Sequence, residues 1–142
     1  MPGPRETFMA AAHASLAAAL PARVVLRGLQ DWAQLGDESL RQGVHTLVAE
    51  NTAGWPFITG REGEYGTLNF AVVSYCRVPD DAENPTLAVE QLEAEMEAEL
   101  LTWCQAIKPP PLDAVYPRQA QYSRGLEAPV GWTVLTLEAM YV

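Results

Sequence analysis

Residues 67–78 read TLNFAVVSYCRV, and no other stretch narrows the possible folds as much. Successive side chains of a strand point to opposite faces. Here both faces are apolar in the middle, with Leu68, Phe70 and Val72 on one and Ala71, Val73 and Tyr75 on the other. Such a strand belongs at the centre of a sheet, or has its second side covered by a partner. The chain's 142 residues, 49% of them hydrophobic, suffice for one domain with a proper core and are short for two.

The flanking segments supply the layers. Residues 5–20 are helical by propensity and spacing, with Met9, Ala12, Leu16 and Leu20 on one face and Pro21 closing the run. A β-branched strand at 23–27 follows, then a polar connector at 31–40 with room for one helical turn. Residues 44–51 form a second strand, alternating Val44, Thr46 and Val48 against His45, Leu47 and Ala49. After the turn PDDAENP, Asn84 is a good N-cap and Pro85 suits the first helical position. From 85 to 107, Val89, Leu92, Met96, Leu100, Trp103 and Ile107 recur at steps of three and four, within roughly 120° of one helix face. KPPP (108–111) ends that helix. Strands at 113–123 and 130–142 complete the order α-β-β-β-α-β-β. The expected architecture is a single α+β domain over residues 1–142, an antiparallel or mixed sheet with two helices packed mainly on one face.

The long helix carries five glutamates, Glu90, Glu93, Glu95, Glu97 and Glu99. On a helical wheel they do not converge. Glu93 and Glu97 border one side of the apolar stripe with Glu90 beyond them, while Glu95 and Glu99 border the other. A carboxylate metal site would want Glu-x-x-His repeats aimed into the core, and no histidine lies in the second half of the chain. These carboxylates are therefore expected to be the solvated flanks of a core-facing helix. The helix's outermost face (Gln91, Ala94, Ala98, Leu101, Thr102, Gln105) is only partly polar, so Glu90, Glu93 and Glu97 also qualify as an acidic docking flank. No Lys or Arg lies between Val78 and Ile107, so a partner there would be basic.

Other chemistries find little support. His13 and His45 lie in no zinc-binding spacing and are expected at the surface or the core edge. Cys76 and Cys104 sit in apolar runs and suit buried thiols. There is no G-x-S-x-G elbow, and GREGEYG lacks the G-K-[ST] ending and the following helix of a phosphate loop. DDAEN is explained by helix entry better than by cation binding. The residues thus name no catalytic, cofactor or metal site. A net charge of −9 argues against direct nucleic-acid contact and against anionic membrane surfaces. No run reaches the ~18 apolar residues of a membrane span, and the alanine-rich start lacks the cationic opening of a signal peptide.

The loop 51–66 is the remaining candidate. Trp55, Phe57 and Ile58 stand in a glycine-rich excursion, either as a lid on the core or as an anchor for a partner. Arg61, Glu62 and Glu64 would form the polar rim of such an anchor, with Tyr65 in the same candidate interface.

The whole arrangement resembles a known family. An alanine/leucine helix runs into PARVVLRG, a loop-bearing β-pair follows, and AVEQLEAEMEAELL precedes a last strand ending GWTVLTLEAMYV. This is similar to the phage tail terminators, minor tail proteins like that of phage lambda, encoded by phages or prophages. The resemblance rests on hydrophobic pattern and length along nearly the whole chain. It implies a non-enzymatic structural protein without cofactor, forming a homo-hexameric ring at the head-proximal end of the virion tail. The ring would stop tube polymerisation and present a head-attachment surface. Its partners would be itself, the tail-tube protein and a neck or head-completion protein, with assembly in the bacterial cytoplasm. In that setting the apolar strand (Ala71, Val73, Tyr75) and the hairpin loop are natural subunit contacts. A neck or head-completion protein, or a small acidic adaptor or ligand-binding α+β domain, are the alternatives.

Overall fold

A computed structural model describes residues 3–53, 66–108, 111–112 and 114–141. Helix α1 (Pro4–Ala19) is followed by strand β1 (Val24–Arg27), a 3-10 turn (Trp32–Gln34) and helix α2 (Asp37–Gln42). Then come β2 (Val44–Ala53), β3 (Gly66–Arg77), the long helix α3 (Pro85–Gln105), β4 (Ala114–Tyr122) and β5 (Val130–Tyr141). The expected α+β order is present, with α2 added in the connector. The sheet order is β1-β2-β3-β5-β4, so the doubly apolar strand is central. β1 and β2 are parallel and the other neighbours antiparallel, which makes the sheet mixed. Parallel pairing needs a crossover, and the segment carrying α2 supplies it.

Both long helices pack on one face. Phe8, Met9, Ala12 and Leu16 of α1 join Leu100 and Trp103 of α3 over Leu47, Leu68, Phe70, Val72, Leu135 and Leu137. Phe8 meets Phe70 edge-to-face, with ring centroids 5.7 Å apart, a geometry that aromatic quadrupoles favour. Among the described residues, the opposite face is covered only in part. Leu40 of α2 packs with Val44, Val73 and Tyr75, and Trp32 and Leu35 close the edge of that cluster. This second cover is why β3 is apolar on both faces.

Asn84 caps α3 as expected, its Oδ1 accepting from Leu87 N at 3.2 Å. The helix ends at Gln105, two residues before the expected stop at Ile107. Lys108 folds back so that its Nζ donates to the carbonyls of Cys104 (3.1 Å) and Ala106 (2.9 Å) over the Trp103 ring. The last carbonyls are thus satisfied before the prolines begin. Ile107 consequently leaves the core stripe and is fully exposed (101%). Leu92 is only half-buried.

Candidate functional site

The polar side chains that matter cluster along the two edges of α3. On one edge stands Arg23, just before β1. Its Nε lies 3.1 Å from both carboxylate oxygens of Glu99 and its Nη2 lies 2.6 Å from Oε1, a forked pairing. Its Nη1 donates to the carbonyl of Gln42 at 2.9 Å, and Glu95 stands 3.7 Å away. Behind Glu99 lies His45 of β2, with no exposed surface. His45 Nε2 is 3.4 Å from Glu99 Oε2, and its Nδ1 is 2.6 Å from Ser74 Oγ of β3.

Burial raises the affinity of Glu99 for its proton, but Arg23 outweighs that and holds the carboxyl below its ordinary value. Burial, with a smaller push from Arg23, brings His45 down to about 4 despite the Glu99 carboxylate. At neutral pH the imidazole is therefore uncharged. An ionised Glu99 only accepts, so Nε2 carries the hydrogen and Ser74 donates its hydroxyl to Nδ1.

Serine, histidine and carboxylate in line invite comparison with a hydrolytic triad. The surroundings argue for a different role. Ser74 pairs with His45 on one side and Thr133 on the other, in mid-sheet. Its backbone is spent on the ladders, and its side chain lies under the helices, 3% exposed. A nucleophile needs access to substrate and nearby donors for an oxyanion. The row instead ties Arg23, at the entry to β1, to α3, β2 and β3 by buried and part-buried hydrogen bonds.

On the other edge, Glu93 accepts from Ser123 Oγ at 2.7 Å, and Tyr122 donates to Glu97 Oε1 at 2.7 Å. The wheel's separation of the glutamates into two flanks holds, and Glu90 and Glu95 are exposed as expected, but the others are not fully solvated. Glu93 is 3% exposed and Glu99 half-buried, and both tie α3 to the sheet. Glu90, Glu93 and Glu97 do share one place, a hollow of about 330 Å³ completed by Ala94, Tyr122 and Arg124. Of that acidic flank, only Glu90 and Glu97 offer accessible charge. A second hollow, of about 660 Å³, lies where α3 runs out beside the start of β4, with Leu101, Ile107, Tyr116 and Pro117 among its walls.

Among the described residues, no group of three or more His, Cys, Asp or Glu side chains is placed to hold a metal ion. Both thiols are buried and unbridged. Burial, aided by Glu93, pushes Cys76 up to about 12, and burial pushes Cys104 up to about 11. Both are thiols at neutral pH, poor nucleophiles and poor metal ligands. No helix is long and apolar enough to cross a membrane among the described residues.

Trp55, Phe57, Ile58, Arg61, Glu62, Glu64 and Tyr65 lie outside the described residues. Ala71, Val73 and Tyr75 are buried within this chain, and Tyr75 donates its hydroxyl to Gln30 O at 2.7 Å. Tyr75 is thus covered by the chain's own connector. His13 takes the expected core-edge position, its Nε2 3.0 Å from Val25 O, whereas His45 lies deeper than expected. Sequence reasoning missed Arg23, Ser74, Tyr122 and Ser123. The one available signal was the pair of buried-strand polar residues, His45 and Ser74, which need partners wherever they lie. Compared with known proteins, the chain matches no family model, and no curated sequence is significantly similar to it.

Proposed function

We propose that this chain is a structural assembly subunit that caps a phage tail tube as a homo-oligomeric ring, ending tube growth and offering the head-attachment surface. The observation that carries the assembly part is the half-covered outer face of the sheet. The α2 segment shields β1 to β3, but on β5 Trp132, Val134 and Thr136 are only half-buried, beside the exposed Gln119 and Gln121 of β4. Half-buried apolar groups on a broad sheet face gain from contact with a partner. The tail-capping part is supported by the resemblance in element order and hydrophobic pattern. The polar chemistry agrees, because the groups best suited to catalysis are engaged in ties between elements.

Light scattering after size exclusion, over a wide concentration range, tests the reading. A closed oligomer of about six subunits is the expected result. Negative-stain images of the protein mixed with tail-tube protein should show rings on tube ends and tubes of limited length. A monomer at every concentration that also leaves tube growth unaffected overturns the proposal.

A further inference from the structure

The outward side of α3 and the neighbouring strand β4 enclose a seam with two unlike ends. One end is the acidic hollow of about 330 Å³, where Glu90 is exposed, Glu97 half-buried and Tyr122 exposed. The other is the hollow of about 660 Å³ whose apolar walls include Leu101, Pro117 and the fully exposed Ile107. Between them α3 shows only the small Ala94 and Ala98, then Leu101. The helical rise from Ala94 to Ile107 places the two ends roughly 20 Å apart, the span of about six residues of extended chain.

Charge selects the occupant. The chain carries a net −9, and several of its cations are already engaged. Arg23 holds Glu99, Arg27 holds Glu6, Arg77 holds Asp80, and Arg118 holds Glu138. Lys108 is turned inward onto helix carbonyls. A second copy would bring acid towards acid. Arg124, on the wall of the acidic hollow, offsets only one of its three carboxylates. We infer that the α3–β4 seam docks an extended segment of a different, basic protein. One arginine or lysine of that segment enters between Glu90 and Glu97 beside Tyr122. An apolar side chain about six residues away rests against Ile107 and Pro117. The inference stands on the seam alone and does not require that the chain cap a tube.

The test uses two labelled peptides in a Gly/Thr frame, one with leucine and arginine about six residues apart, the other with glutamate in place of the arginine. Anisotropy titration with the full chain should show the arginine peptide binding at least ~10-fold more tightly, and weakening as salt rises through the range where exposed charges are screened. The Glu90→Gln/Glu97→Gln pair keeps an acceptor for Tyr122 and should cost ~10-fold in affinity with an unchanged circular dichroism spectrum. Ile107→Ser, at a fully exposed position, should weaken the same peptide. Equal affinity for both peptides, no binding by either, or indifference to both variants overturns the inference. It also fails if light scattering shows the chain self-associating through this surface, dispersed by Glu90→Gln/Glu97→Gln. Loss of tube capping with peptide binding intact would count against the tail reading alone.

Discussion

His45 has no exposed surface and sits between a hydroxyl and a carboxylate, which makes it a pH-dependent support of the fold. Its folded pKa, about 4, lies below the ordinary histidine value because burial penalises the charged ring. The unfolded chain therefore binds more protons than the folded one between the two values. The stability contributed is complete above the unfolded value near 6.5 and drains away as the pH falls towards 4. The shift corresponds to about 3 kcal/mol over that window. Glu99, also held below its ordinary value, adds loss in the same direction below about pH 4.5. Urea midpoints measured from pH 7 down to pH 4.5 should fall steadily in the parent chain. In His45→Gln the slope above pH 5 should nearly vanish, on a lower baseline. A histidine proton resonance of His45 titrating near 6.5 would contradict the account. Little of this was legible beforehand. Arg23 and Glu99 are separated by 76 positions, and no local pattern reports a contact of that range. What could be read was the need, since a histidine and a serine inside apolar strands must find partners.

Among the elements, α3 shows most clearly where sequence patterning succeeds and where it stops. Its apolar stripe, N-cap and first-turn proline were legible, because periodicity and capping are local properties. The placement of the central strand followed from its two apolar faces. The parallel pairing of β1 with β2 and the second cover by α2 were not legible, since both depend on where a polar connector crosses the sheet. The close seating of α3 on β5 was equally hidden, and it rests on Gly131. A Cβ at that position would overlap Val89 Cγ1 and stand 3.0 Å from Glu93 Oε2 and 3.1 Å from Cys76 Sγ. Those neighbours are all buried, so α3 would have to lift from the sheet. Gly131→Ala should destabilise the chain by about 1–3 kcal/mol, as overpacking does. Gly36→Ala is the control. A Cβ there meets nothing within 4 Å, and its φ of −66 suits any residue, so the expected change is within about 0.5 kcal/mol. Comparable losses in the two variants, measured by chemical denaturation, would show that the close approach at Gly131 is not what seats the helix.

At the scale of the whole molecule, the distribution of cover decides how copies can meet. Among the described residues, the helix-bearing face is closed by α1 and α3, while the outer face is only half-covered beside β5 and β4. The edges, by contrast, are poor places for pairing. The register of β4 breaks between Pro117 and Gln119, leaving the charged Arg118 at the irregularity. On the other side β1 pairs only with Val44 to Leu47, so the rest of β2 is edge, and its register breaks between Ala49 and Asn51, around the exposed Glu50. Bulges, prolines and charges on edge strands all discourage strand addition. Contact through the face is therefore expected to dominate any assembly. Thr136→Lys places a charge in the middle of the half-covered face at a half-buried, already polar position, so the monomer should keep its melting temperature within about 4 °C. Its oligomer should disperse, because an unpaired charge trapped in a contact costs several kcal/mol. Glu50→Lys reverses an edge charge of equal size and should leave the oligomer as it was. Light scattering of the two variants against the parent separates the possibilities. Dispersal by Glu50→Lys with Thr136→Lys intact would move the contact to the β2 edge and refute assembly through the face.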